Sequence, residues 1–413
     1  MSKTIFQAGL QTGITTTANI TQYFFPGGQG ATASSTEAPR QISFHTPGVL
    51  SGLYIRITAS TTNAATTIRT RINGANGNQS VSPGTAATGV FEDTTNTDTI
   101  ADGDLVAIQA VAAPTGTLTM TNISQIFDVP GKATAVTKMV TNPASITGGS
   151  GFFCVVYGGQ NETLGIEDDV KYQVPRGGTF VNLAVYVLGN TRTADSNVKS
   201  RVDGANGKLV VTIPTTTSGL FEDTTNRDLI PKGGVTDYDY VINAGGTGTI
   251  TVQSISTEFM CYNDGLCIIG VSTNVPYNQG TTNYAPMQGR LSGELTEADT
   301  QVRARIACNA SRLSVSVRTN NVANASTISF RVNGASAVAT SIPSATTGVF
   351  ENITDFATVA VDDLINYRVV MGAGAGGTQV TLAWIGVAME FIGRMKEFGG
   401  SFQLGKGQPI FGS

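Results

Sequence analysis

Arg71-Ile72-Asn73-Gly74 returns 130 residues later as Arg201-Val202-Asp203-Gly204, and 130 after that as Arg331-Val332-Asn333-Gly334. Upstream, Leu53, Leu183 and Leu313 keep the same interval. Downstream, Gly89-Val90-Phe91-Glu92 reappears as Gly219-Leu220-Phe221-Glu222 and as Gly348-Val349-Phe350-Glu351. Gly116-Thr117, Gly248-Thr249 and Gly377-Thr378 follow, and Phe127, Phe259 and Phe391 close the three copies. A unit of this length is too long for a solenoid repeat, which runs roughly 20–50 residues and cannot bury a core alone. It has the size of one independent domain. The chain therefore divides at 1–130, 131–262 and 263–395, with an extended C-terminal tail over 396–413. Each copy is expected to form a bead with its own core. Copies one and two are the closer pair, sharing Phe-Glu-Asp-Thr-Thr-Asn at 91–96 and 221–226. Copy three diverges over its N-terminal half, which marks it for a separate task such as anchoring.

Inside a copy the pattern is that of strands. Leu53, Ile55 and Ile57 face one way while Tyr54 and Arg56 face the other, and Leu183–Val187 and Leu313–Val317 repeat this. A period of two over short runs rich in Val, Ile and Thr marks half-buried strands. The Asn-Gly and Asp-Gly pairs at 73–74, 203–204 and 333–334 supply the positive φ angles of tight hairpins. In the first copy, strands are expected near 22–26, 40–45, 53–58, 66–73, 79–83, 88–92, 104–111 and 116–127. That number of short strands suits a jelly roll better than an immunoglobulin module, whose Cys…Trp…Cys spacing is missing because Trp384 is the single tryptophan. The expected fold class is all-β: three tandem antiparallel β-sandwich (jelly-roll) domains.

Charged residues make up 13% of the chain, about half the usual share, and the 49 glycines exceed the average. The net charge is −4 with no run of Lys or Arg, which argues against nucleic acid as a partner. Met1 to Ile20 lacks the cationic start and apolar run of a secretory signal, so synthesis in a cytosol is expected. No run of apolar residues is long enough for a membrane span. Cys154, Cys261, Cys267 and Cys308 fall at non-equivalent places in the copies, so a reduced state is expected.

Little here carries chemistry. His45 is the single histidine, and triads or histidine metal sites need partners it lacks. Cys261 and Cys267 have no zinc-ligand spacing, and Gly372–Gly377 lacks the Lys-Ser/Thr of a phosphate loop. Acidic residues cluster after Phe91, Phe221 and Phe350. They suit Ca²⁺ or plain Asx turns, and the sets differ between copies, which favours turns. No catalytic, cofactor-binding or metal residue is therefore expected, and no cofactor. The recurring Arg71, Arg201 and Arg331 point away from the core, as do Glu92, Glu222 and Glu351. A cross-strand ion pair, Arg71 with Glu92, Arg201 with Glu222 and Arg331 with Glu351, on the outer face of each copy or at a subunit contact, is the expectation. Phe398, Phe402 and Phe411 on the glycine-rich tail are candidate assembly contacts, the alternative being a tail that packs back onto its own third copy.

The order of motifs resembles the glycine- and threonine-rich jelly-roll modules of bacteriophage virion surface proteins, akin to the tumour-necrosis-factor and C1q jelly rolls. The residues that carry this are Pro175–Leu183 (looser at Pro47–Leu53), the Arg-x-Asn/Asp-Gly turns, Thr88–Asp93 and the Gly-Thr-x-Thr final hairpins. Such modules occur in head decoration proteins, head fibres and tail fibres, often as trimers. The resemblance implies an exterior structural virion protein, made in the host cytoplasm and released by lysis. Its partners would be other virion proteins and further copies of itself, as a homo-oligomer for which a trimer is one expectation. The alternative is a carbohydrate-binding array attaching to a host-surface glycan, with Tyr54, Tyr186 and Tyr157 as candidate aromatics. An enzyme such as a depolymerase would need paired carboxylates at a cleft, and the low charge and the repetition argue against it.

Overall fold

The computed structural model describes residues 2–16, 18–26, 34–129, 134–147, 151–154, 156, 158–159, 166–174, 177–242, 246–261, 266–290, 295–374 and 378–391. Most of these residues lie in strands. In the first repeat they are β1 (Ser2–Thr16), β2 (Thr21–Phe24), β3 (Ile42–Phe44), β4 (Gly48–Ser60), β5 (Thr67–Ile72), β6 (Ala75–Val81), β7 (Gly89–Ile100), β8 (Asp104–Val111) and β9 (Leu118–Val129). The second holds β10 (Thr134–Thr147), β11 (Gly151–Cys154), β12 (Gly158–Gly159), β13 (Tyr172–Gln173), β14 (Gly178–Asn190), β15 (Ser196–Val202), β16 (Ala205–Ile213), β17 (Gly219–Ile230), β18 (Val235–Ile242) and β19 (Thr249–Cys261). The third holds β20 (Leu266–Asn278), β21 (Thr282–Ala285), β22 (Gly289–Arg290), β23 (Val302–Arg303), β24 (Cys308–Asn320), β25 (Ser326–Val332), β26 (Ala335–Ile342), β27 (Gly348–Val359), β28 (Leu364–Val370) and β29 (Gln379–Phe391).

The same strand order recurs three times. One sheet runs β1-β9-β4-β7, then β10-β19-β14-β17, then β20-β29-β24-β27. The facing sheet runs β2-β8-β5-β6, β11-β18-β15-β16 and β21-β28-β25-β26, with β3, β13 and β23 as a second short strand on β8, β18 and β28. Pairing within these units is antiparallel. The chain is thus an all-β protein whose sandwiches have the sheet make-up of a jelly roll. β1 is the strand that the apolar pattern of the first copy did not announce. Copy three, divergent in sequence over its first half, keeps every strand of the others there.

Inward-facing residues follow the expected parity. Leu53, Ile55 and Ile57 are buried, as are Leu183, Val185 and Val187 and then Leu313, Val315 and Val317. The closing phenylalanines pack edge-on: Phe127 against Phe44 at 5.0 Å and Phe259 against Phe180 at 5.2 Å. Asn73-Gly74, Asp203-Gly204 and Asn333-Gly334 have φ of 49° and 77°, 51° and 78°, and 50° and 79°. Two successive positive φ angles are the type I′ hairpin geometry. Gly116 and Gly248 recur for a second reason: at φ of 86° and 87° a Cβ would run into the carbonyls of Thr61 and Thr191.

The repeats are not separate beads. Gly289 of β22 pairs in parallel with Gly9 of β1 and with Val271 of β20, fusing the first sheets of repeats one and three into nine strands. The long strands β1, β10 and β20 lie against one another. One apolar cluster runs through both repeat two and repeat three, whereas repeat one holds two clusters of its own.

Candidate functional site at the seams between repeats

The polar side chains that repeat in the sequence build contacts between repeats. In each repeat a single turn of 3-10 helix precedes the short strand β3, β13 or β23: Ala38–Arg40, Glu167–Asp169 and Glu297–Asp299. Arg71 grips Glu37 here, its Nε 3.2 Å from Oε1 and its Nη2 3.0 Å from Oε2. Arg201 holds Glu167 in the same fork at 3.0 and 3.0 Å, and Arg331 holds Glu297 at 2.6 and 3.3 Å. A planar guanidinium matching both carboxylate oxygens fixes orientation as well as charge. Arg201 and Arg331 also lie over the rings of Phe153 and Tyr284.

This corrects the expected pairing. Among the described residues Arg71, Arg201 and Arg331 form no ion pair with Glu92, Glu222 and Glu351, because a nearer carboxylate in the 3-10 turn satisfies them. Glu37, Glu167 and Glu297 stand 130 residues apart, so the repeat interval itself carried the missed signal. The fork holds the turn and the strand after it, and thereby the tip of chain that each repeat presents to its neighbour.

The tip of repeat one enters repeat two. His45 N and Thr46 N donate to Glu258 Oε1 at 2.8 and 3.0 Å, and Asn182 Nδ2 donates to Glu258 Oε2 at 2.9 Å. Glu258 is 2% exposed, and these donors replace the water it has lost. The His45 ring bridges Asp102 in its own repeat, at 2.9 Å, and Glu222 across the seam, at 3.1 Å. The hydrogen bond to Glu222 outweighs burial and, with Asp102, raises the imidazole to about 9. His45 is therefore cationic at neutral pH. Glu222 agrees: burial pushes its carboxyl up, but the hydrogen bonds from His45 and Ser43 bring it below its ordinary value.

The tip of repeat three enters repeat one at the equivalent place. Arg303 Nε lies 3.2 Å from Glu92 Oε1, and Arg305 Nη2 lies 2.5 Å from the same oxygen, close enough for an ion pair but without hydrogen-bond alignment. Arg56 meets Asp299 at 3.5 Å, and Asn122 Nδ2 donates to the carbonyl of Gln301 at 3.0 Å. Between repeats two and three the chemistry changes. Trp384 Nε1 donates to the carbonyl of Lys171 at 2.6 Å, and its ring lies 4.8 Å from that of Tyr172. Trp384 holds the strand position of Asn122, each paired one strand over with residue 56 or 316. A groove of about 350 Å³ runs along this seam between Asp168, Lys171, Val349 and Trp384. Glu351, the third recurring glutamate, accepts from Ser314 of its own repeat at 2.7 Å. The three seams run from one to two, two to three and three to one, so the set closes on itself.

The acidic segments form local caps. Asp93 accepts from Ser80 N, Thr95 N and Asn96 N at 2.9, 3.2 and 3.0 Å, and Asp223 does the same for its repeat. Asn352 replaces them in repeat three, accepting from Thr354 N and Asp355 N. An Asx turn needs an acceptor, not a charge, which is why the amide serves. Among the described residues no group of three or more His, Cys, Asp and Glu side chains is placed to hold a metal. Tyr54 is buried and Tyr186 half-buried, so neither presents an open aromatic face, and Tyr157 lies outside the described residues. Phe398, Phe402 and Phe411 also lie outside them. No described helix is long and apolar enough to cross a membrane.

No family model matches the chain, and no curated protein matches it. Among solved structures, one from an archaeal virus, "The Triple Jelly Roll Fold and Turret Assembly in an Archaeal Virus", is similar at 12% identity, over 85% of this chain and 81% of that one, with a TM-score of 0.20. A structure of PNGF-II is similar at 8% identity, over 84% of this chain and 99% of that one, with a TM-score of 0.19. Likenesses this distant carry no argument about activity.

Proposed function

We propose that this chain is a structural protein of a virion exterior, acting by assembly and display rather than catalysis. The observation that supports this most is the use made of its ionisable side chains. His45, Glu92, Glu222, Glu258, Arg303 and Arg305 are engaged at the seams between repeats. A closed set of seams lets three jelly-roll domains occupy one chain in the places that three subunits of a trimer would take. On this reading the three repeats together form one display unit, and further copies or other virion proteins attach to its outside. The resemblance of its motifs to bacteriophage surface modules supports the virion assignment.

The test is location. Antibodies against the recombinant chain should label the outside of purified particles, with the protein present in a fixed copy number by quantitative mass spectrometry. A chain absent from every particle, yet binding a defined glycan tightly on an array, would overturn the proposal in favour of carbohydrate attachment.

A further inference from the structure

At the seam between repeats two and three, one strand position carries a small side chain where its equivalents carry large ones. Arg56 reaches across the seam from repeat one to Asp299 of repeat three, and Tyr186 holds the same strand position in repeat two. In repeat three that position is Ser316, paired with Val349 as Arg56 is with Val90. The groove of about 350 Å³ lies here, with Ser316 in its wall. Its volume falls within the roughly 300–1,000 Å³ of small-ligand clefts.

The lining is chemically mixed and belongs to both repeats. Lys171 and Gln173 come from the tip of repeat two, and Ser316, Arg318 and Thr347 from repeat three. Val349, 47% exposed, and Trp384 give it an apolar side. Both cations are particular to this seam. The repeat-equivalent residues are Gln41 and Gln301 for Lys171, and Thr58 and Leu188 for Arg318. Lys171 holds Asp168 at 2.6 Å, but the Asp168 side chain is 82% exposed, so an incoming carboxylate can take its place. Glu167, which also acts on Lys171, is forked by Arg201, and burial raises Asp237 to about 8, leaving it uncharged at pH 7. Among the lining residues two positive charges therefore face one negative, beside hydroxyl and amide groups.

We propose that this groove binds the acidic sugar at the end of a glycan. The carboxylate sits between Lys171 and Arg318, where charge-assisted hydrogen bonds are strongest. The sugar hydroxyls meet Gln173, Ser316 and Thr347, and a C–H face of the ring rests on Val349. A few convergent polar groups beside an apolar wall are what fixes a small ligand in a cleft. The site needs the seam, since neither repeat two nor repeat three supplies the whole set. This goes beyond a display role, and binding by the isolated chain stands or falls independently of where the chain sits in a particle.

The test is saturation-transfer NMR on the full chain with the methyl glycosides of glucuronic acid and N-acetylneuraminic acid, and methyl glucoside as the neutral control. At least one acid should bind with a millimolar dissociation constant, and the neutral sugar at least tenfold more weakly. Lys171→Gln/Arg318→Thr installs the residues of repeat one and so suits the fold. It should weaken the acid tenfold or more with Trp384 fluorescence unchanged. Equal binding of acidic and neutral sugars would overturn the proposal, as would binding that the variant leaves intact, or no signal from either acid at about 20 mM. Acetate that competes as well as the acidic sugars would also overturn it, by reducing the site to one for a bare carboxylate.

Discussion

The seam between repeats one and two and the seam between two and three occupy the same place in the fold and are held by opposite chemistry. At the first, a charged imidazole donates to a carboxylate on either side, and the buried carboxylate of Glu258 accepts from both repeats. At the other, an indole rests on a phenol ring and makes a single hydrogen bond to a backbone carbonyl. The jelly-roll framework decides where a tip meets its neighbour, because the Arg–Glu fork in each repeat sets the tip in one position. The side chains at that position are then free to vary. The aromatic seam also joins the apolar clusters of repeats two and three, whereas the charged seams leave repeat one with its own. Burial of aromatic area supports stability at any salt concentration, while partly exposed ion pairs weaken with salt.

Trp384→Ala is expected to cost the most, about 4 kcal/mol, by emptying a buried aromatic site and stranding the Lys171 carbonyl. Urea denaturation measures it, and the loss should be insensitive to salt. A loss below that of the charged-seam variants would reverse the ranking of the seams. Glu258→Ala should follow at about 3 kcal/mol, since it leaves the amides of His45 and Thr46 without their acceptor. Exchange at those two amides should rise with it.

The tip of repeat two has a peculiarity of its own. Asp237 pairs with Arg201 across the sheet, as Asn366 pairs with Arg331 and Ala107 with Arg71. Asn366 donates to Thr300 at 2.8 Å, but the equivalent residue in repeat two is Val170, and among the described residues neither Asp237 oxygen has a hydrogen-bond partner. Burial, with Glu167 adding to it, pushes the carboxyl up to about 8. Between about pH 4 and 8 the folded chain holds a proton that the unfolded chain has released, so stability falls as pH rises across that window. Asp237→Asn should remove this slope and raise stability at pH 8.5 by roughly 2 kcal/mol, as thermal melts across pH will show.

The smallest effect belongs to His45. Its folded-state value is raised above the ordinary 6.5, so its contribution is complete below that pH and disappears as pH climbs through about 9. His45→Gln should lower stability by about 1 kcal/mol at pH 7 in low salt and by less at pH 10. An equal loss at both pH values would show that the ring acts by packing and not by charge.

Much of the fold was legible from alternation and turn chemistry. The alternating runs at 53, 183 and 313 and the paired positive-φ turns declared strands and hairpins, because both depend on neighbours along the chain. The strand β1 was not legible, since it is held by pairing with β9, more than a hundred residues away in sequence. The Arg–Glu fork was half visible. Its arginines repeat conspicuously beside Asn/Asp-Gly, whereas Glu37, Glu167 and Glu297 repeat with little else around them. Reading Glu92 as the partner of Arg71 failed because parity tells which way a side chain points, not which of several carboxylates lies nearest.

The amino-acid sequence by itself determined the threefold repeat, the all-β class and the inward face of each strand, all of which follow from spacing and polarity. Only the tertiary structure decided that His45 meets Glu222, that Arg303 and Arg305 meet Glu92, and that Trp384 stands where Asn122 does. Contacts between repeats join residues more than a hundred positions apart, and a periodic sequence offers three near-equivalent partners for each of them. Which one is chosen depends on how the sheets stack in space, and no local pattern encodes that.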